Sequence, residues 1–257
     1  MNLIRIWVIA KNGFQEVIRD RILYFILFFL ILLGLALALL PEISANTHEK
    51  IFIDFGLSAI EIFGVIVAIF VGTGLINKEI EKRTVLVLIP KPISRAEFII
   101  GKHLGLSAVI GVMITAMSAI YFGLLTFANY SYPLVPLLVS IFYLYLELLL
   151  IIAVALVFGV FTSSVLATLF SLGIYLMGNI SQDLLKLGNI SKSSNIQAIT
   201  EKLYLILPDL SHLNLKNEAV YGVLPNALEL LTNGVYGIIY TIVLLSIAIL
   251  IFSRRQF

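Results

Sequence analysis

Two glutamates lie where acidic residues are seldom found. Glu61 falls within the apolar run 54–76 and Glu147 within the run 137–160. An ionisable group at such depth in a bilayer costs at least about 2.5–3.5 kcal/mol on insertion scales, so it needs a partner, a proton or water. The functional chemistry open to the pair is a proton relay, a cation site or a polar lining for a translocation path. The structural alternative is a protonated Glu hydrogen-bonded to a nearby Tyr, Ser or Thr. An ion-gradient-driven secondary transporter or channel subunit would use Glu61 and Glu147 directly. Such folds usually carry inverted repeats and helices broken at mid-membrane; neither is visible in the sequence, and the two runs that hold the acids contain no Lys, Arg or His.

Other chemistries find no residues to carry them. Met113 and Met117 stand one helical turn apart, and thioethers can bind Cu(I). With 4 Met, no Cys, and His48, His103 and His212 scattered over different segments, they read as core packing rather than a metal site. No Gly-rich loop followed by Lys and Ser or Thr is present, so the chain has no cradle for nucleotide phosphates. No nucleophile–base constellation suggests a catalytic residue, so the chain is not read as an enzyme and no cofactor is assigned to it. The formal net charge of +2 is too small to suggest a nucleic-acid partner.

The elements that position these residues follow from hydropathy. The chain has 257 residues, 60% of them hydrophobic, and a mean hydropathy of +1.07. A soluble core cannot enclose that much apolar surface. The excess is organised into runs long enough to cross a hydrocarbon core of about 30 Å. Six spans are expected, roughly 21–40, 54–76, 104–127, 137–160, 164–182 and 235–252. Pro41 closes the first, Pro133 and Pro136 separate the third and fourth, and Thr162 to Ser164 form a tight turn after the fourth. Residues 2–20 are instead amphipathic, with Leu3, Ile6, Trp7, Ala10, Phe14, Val17 and Ile18 at helical spacing. That helix either lies in the membrane interface or packs on protein. The expected fold is therefore an all-α membrane protein, a single transmembrane domain over 1–257. It comprises an interfacial helix (1–20), a charged loop (77–103) and an external segment (183–234) before the last span. In that external segment Ile196, Ile199, Leu203 and Ile206 recur at helical spacing before Pro208.

Orientation comes from Lys and Arg. With the N-terminus inside, 12 of the 17 basic residues fall on the inner side, including six in 77–103, while Lys50, Lys186, Lys192, Lys202 and Lys216 fall outside. The positive-inside rule then places both termini in the cytoplasm. Small residues four apart supply ridges for close helix packing: Ser107, Gly111, Thr115, Ala119 and Gly123 on the third span, Gly64, Ala68 and Gly72 on the second. Such ridges serve either the bundle itself or a seam between two copies.

The loop INKEIEKRTVLVLIPKPISRAEFIIGKH, residues 76–103, concentrates nine ionised side chains. Its first half is good helix-forming sequence, and Pro90 and Pro92 forbid a regular continuation. Ser94 with Glu97 three residues on is a capping box that opens a helix running into the third span. Helix, rigid break, helix is a shape suited to a lever docked on a soluble partner.

At these residues the chain resembles the permease subunits of type-2 ABC exporters. The likeness is carried by Glu79, Glu81, Thr84, the apolar stretch 85–89, the core Lys91, Pro92, Ile93, Ser94 and Arg95, and Gly101 with Lys102. The family usually has Gly before the Thr, where this chain has Arg83. The segment LYLILPDLSHLNLKNEAVYG, 203–222, is similar to the subgroup that includes the permease for copper-enzyme maturation in nitrous oxide reductase. The resemblance implies a multi-pass permease of the cytoplasmic (inner) membrane, forming a translocation path as a homodimer or with a related permease. It implies cytosolic ABC ATPase subunits that bind ATP and Mg²⁺, with the 77–103 loop as the coupling helix. Glu79, Glu81, Thr84, Lys91, Pro92, Ile93, Ser94, Arg95 and Lys102 would then serve ATPase coupling.

Overall fold

The computed structural model describes residues 2–20, 22–43, 47–81, 94–191 and 194–254. Among them every regular element is helical. In chain order these are α1 (Leu3–Asp20), α2 (Ile22–Ile43), α3 (His48–Glu81), α4 (Arg95–Phe127), α5 (Leu134–Phe161), α6 (Ser164–Asn179), α7 (Ser181–Ile190) and α8 (Ser194–Ile206). A 3₁₀ turn (Leu210–His212), α9 (Lys216–Tyr221) and α10 (Ala227–Arg254) complete the set. The result is an all-α membrane bundle.

Among the described residues five helices, α2, α3, α4, α5 and α10, are long and apolar enough to cross a bilayer. The sixth expected span, 164–182, is occupied by two helices rather than one. Its first part, α6, has 16 residues, about 24 Å at 1.5 Å per residue, and the chain then turns by 61° into α7. The local cause is polar. Asn179 turns its amide back to the Tyr175 carbonyl at 3.2 Å, and the Ser181 hydroxyl bonds the Gly178 carbonyl at 3.0 Å, contacts that compete with helix continuation.

Pro133 and Pro136 mark a start rather than a mere separator. Pro133 is the N-cap of α5, and Pro136 sits in its first turn, where an absent N–H leaves no bond unmade. Helix α10 begins at Ala227 rather than near 235, with the Asn226 side chain accepting the Glu229 N–H at 2.8 Å. Pro41 does not end α2 at once; the helix runs on to Ile43.

Helices α3 and α5 form the centre of the bundle. Of their most apolar windows 67% and 72% are buried, against 17% for α2 and 22% for α10, so the last two present apolar side chains outward, as a lipid solvent permits. The ridge Gly64, Ala68 and Gly72 seats α3 on α5. A Cβ at Gly72 would stand 2.9 Å from that of Ala155, and one at Gly64 would collide with Leu148. The third-span ridge divides. Ser107 and Gly111 meet Tyr145 of α5, whereas Thr115, Ala119 and Gly123 are exposed.

Helix α1 crosses α4 at a contact that only glycine allows: a Cβ at Gly105 would lie 2.6 Å from the Ala10 carbonyl oxygen. There α1 buries Ile6, Ala10 and Val17, while Leu3, Ile4, Trp7 and Val8 stay exposed. It packs on protein by one face and shows a second apolar strip, anchored by Trp7, outward.

Part of the segment after α6 packs into the bundle. Leu207 to Leu210, Leu213, Leu215 and Ala219 are buried. Leu210 fits against Gly178, where a Cβ would come within 2.8 Å, and Leu213 against Gly237 of α10. This stretch forms a plug between α3, α5, α6 and α10. Helix α8 by contrast turns Ile196 and Ile199 outward and buries Thr200.

Candidate functional site

Glu61 and Glu147, 86 residues apart in sequence, belong to one polar site. Each stands about 20 Å along its helix from the first residue, Glu61 on α3 and Glu147 on α5, so the pairing of the two central helices brings them to the same level. Both are buried. Tyr175 of α6 donates its hydroxyl to Glu61 Oε1 at 2.7 Å. Asn179, one turn further on α6, donates to Glu147 Oε1 at 3.3 Å and accepts from the Asn214 amide at 3.4 Å. Lys216, the first residue of α9, brings its ammonium into an ion pair with Glu61 Oε2.

A tyrosine partner for a buried Glu is what the structural alternative anticipated. The lysine is not: Lys216 reads from sequence as an external residue, and the apolar runs offered no cation. Its presence changes the chemistry from two isolated acids to two acids, one ammonium, a phenol and two amides. Tyr175, Asn179, Asn214 and Lys216 all escaped the sequence reading. Asn179 alone left a trace, as the polar step NIS at the end of an apolar run.

The plug is held beneath this site by a second polar centre. The buried carboxylate of Asp209 accepts from the Ser181 hydroxyl at 2.9 Å, Gln182 Nε2 at 3.2 Å and the Ser211 N–H at 3.1 Å, and lies 3.4 Å from His212 Nε2. The Asp209 N–H donates to the Tyr236 hydroxyl of α10 at 2.7 Å. Asp209 thus fastens the bend after α6 and the 3₁₀ turn to the last span.

The remaining histidines and the methionine pair stand apart from it. Met113 and Met117 are core residues; His48 lies against Tyr130, and His103 bonds the Leu149 carbonyl at 3.1 Å. Among the described residues no three His, Cys, Asp or Glu converge as metal ligands.

Of the residues that the resemblance assigns to coupling, Thr84, Lys91, Pro92 and Ile93 lie outside the described residues. Glu79 and Glu81 stand on the last turn of α3. The capping box at Ser94 is present: its hydroxyl accepts the Glu97 N–H at 3.1 Å and Glu97 Oε2 accepts the Ser94 N–H at 2.9 Å. Glu97 Oε1 also accepts the Asn2 N–H at 2.6 Å, which ties the start of α1 to the start of α4. With 33 residues α4 is about 50 Å long, so these first turns stand clear of a hydrocarbon core of about 30 Å. The backbone bonds from Ser94 and Asn2 hold the Glu97 carboxyl below the ordinary carboxylate range.

Arg95 is exposed, and its guanidinium reaches the end of α10. Its Nη1 donates to the Phe252 carbonyl at 2.8 Å and to the Ser253 carbonyl, capping the end of α10, and the guanidinium lies 6.0 Å from the centre of the Phe252 ring. Lys102 is enclosed between α1 and α4, with Nζ 4.0 Å from Glu16 Oε2 and 5.8 Å from the centre of the Phe98 ring. Both residues, which the resemblance assigns to coupling, make contacts within the chain.

No curated protein matches the sequence. The family model described as ABC-2 family transporter protein matches residues 7–257, from the first turns of α1 to the final residue. A bundle of apolar helices with a polar site at its centre, and a match that spans nearly all of it, lead to one assignment: this multi-pass membrane chain belongs to the ABC-2 transporter family and is a permease subunit of an ABC transporter.

Proposed function

We propose that the chain is the membrane half of an ATP-driven exporter, working as a dimer with a second copy or a related permease. Cytosolic ATPase subunits carrying ATP and Mg²⁺ dock on the 77–103 loop, and the α1 end of the bundle, with both termini, faces the cytoplasm of the inner membrane. Glu79, Glu81, Thr84, Lys91, Pro92, Ile93 and Ser94 form the contact, while Arg95 and Lys102 pass its movement to α10 and α1. The likeness of 203–222 supports membership in the subgroup that includes the nitrous oxide reductase maturation permease.

The observation that carries the reading is the connection made by α10. Arg95, at the exit of the loop, grips the C-terminal carbonyls of α10, and the other half of α10 holds the plug through Tyr236 and Gly237. A pull at the loop thereby has a rigid path to the far end of the molecule, as export by alternating access needs. Trp7 and the strip Leu3, Ile4 and Val8 suit the inner leaflet, with α1 moving on the membrane surface.

The test is purification of the tagged chain from its native membrane in mild detergent, with assay of ATPase activity. A stoichiometric Walker-A subunit that is lost when residues 91–95 are altered supports the reading. A chain that purifies with no ATPase subunit overturns it.

A further inference from the structure

Charge counting in the polar site leads beyond a structural role. Glu61 is engaged on both oxygens, by the Tyr175 hydroxyl at 2.7 Å and by the Lys216 ammonium. Glu147, with 1% of its surface exposed, accepts one hydrogen bond, from Asn179 at 3.3 Å. Among the described residues no donor reaches its second oxygen. The ionisable groups that bear on one another here are Glu61 on α3, Glu147 on α5, Tyr175 on α6 and Lys216 on α9. Asn179 and Asn214 carry no charge.

Two carboxylates therefore face one ammonium. If both were ionised, one negative charge would remain uncompensated among the two central helices, and it would repel its neighbour as well. An inorganic cation needs a larger set of oxygen ligands than a half-satisfied carboxylate and one amide can provide. A proton needs only the open oxygen of Glu147.

We propose that Glu61 and Glu147 form a proton-binding site that holds one proton while Lys216 is seated and two when the plug withdraws it. The exchange balances. Lys216 leaves with its positive charge for water, Glu61 gains a proton from the side to which the plug opens, and the site is neutral before and after. The plug is built for such exchange, since its cation is supplied by a short helix held at Asp209 and not by a span. Each opening of the far end then takes up one proton, whether or not ATP drives it.

The test is infrared spectroscopy of the purified chain in lipid nanodiscs at neutral pH, reading the carbonyl stretch of protonated carboxylic acids and its shift in D₂O. The wild-type chain is expected to show one such acid. Glu147→Gln abolishes the band, because Glu61 and Lys216 then balance; Glu61→Gln abolishes it too, because Lys216 is left to Glu147. Lys216→Met doubles it. The two Gln variants preserve side-chain shape, so their result stands even if Lys216→Met fails to fold. A wild-type chain with no band, or a band that survives Glu147→Gln, overturns the proposal. None of these readings involves an ATPase, so the permease assignment is untouched by their failure.

Discussion

Replacing Lys216 by Met should loosen the plug, and the structure sets the size of the effect. Met keeps most of the apolar stem and removes the ammonium, leaving Glu61 without its ion partner. Exposed ion pairs contribute about 0–1 kcal/mol, whereas stripping one partner from a buried pair costs about 3–5 kcal/mol. The side chains of Lys216 and Glu61 are 24% and 4% exposed, which places this pair between those limits and nearer the buried one. A loss of about 2–3 kcal/mol follows, with the lower end applying when Glu61 relaxes by taking a proton. At about 1.4 kcal/mol per factor of ten, the open population of the plug rises roughly 30- to 140-fold. The natural chain has no cysteine, so Leu215→Cys, buried beside Lys216, would be its only thiol. Its labelling by a membrane-impermeant maleimide, with opening fast relative to reaction, reads that population directly. The reasoning is refuted if labelling is no faster with Met at 216 than with Lys. Pairing Lys216→Met with Glu61→Gln should restore most of the protection, because removing both partners leaves no orphaned charge.

Three further outcomes are expected. Arg95→Ala removes a charged donor from the carbonyls of Phe252 and Ser253, at a cost of about 1.5–3 kcal/mol by the usual worth of such bonds; hydrogen exchange should quicken in the last turn of α10 while α3 and α5 stay protected. Gly105→Val sets a side chain against the Ala10 carbonyl and should destabilise the α1–α4 crossing by about 1–3 kcal/mol, seen as earlier proteolysis within α1 before the bundle melts. The Glu97 carboxyl is held below its ordinary value of 4.5 by the Ser94 and Asn2 backbone bonds. Its contribution to docking α1 is therefore complete above that value and is lost as pH falls through the lowered one. Acid release of α1, followed by Trp7 fluorescence, should lose this pH dependence in Glu97→Gln.

Much of the fold was legible in the residues because the solvent dictates it. A run of about 20 apolar residues has one stable use in a bilayer, a helix that satisfies its own backbone, so the positions of α2 to α5 and α10 followed from hydropathy. The capping box at Ser94 and Glu97 was equally legible, since its bonds close within four residues. The ridge Gly64, Ala68 and Gly72 announced a close approach but not its partner; that α5 fills it was settled by packing. The break after Asn179 was hidden because a polar pair ends a helix only when other groups receive the chain, here Asp209 and Glu147.

The site divides in the same way. Sequence alone determined that Glu61 and Glu147 are exceptional, for a buried acid is costly wherever it sits. That the two share one site depends on α3 packing against α5, and that Lys216 serves them depends on the plug folding inward. An ion pair between residues 61 and 216 has no local signature. It exists because Leu210, Leu213, Leu215 and Ala219 carry their backbone into the bundle, and the charge on the neighbouring residue must then find its opposite.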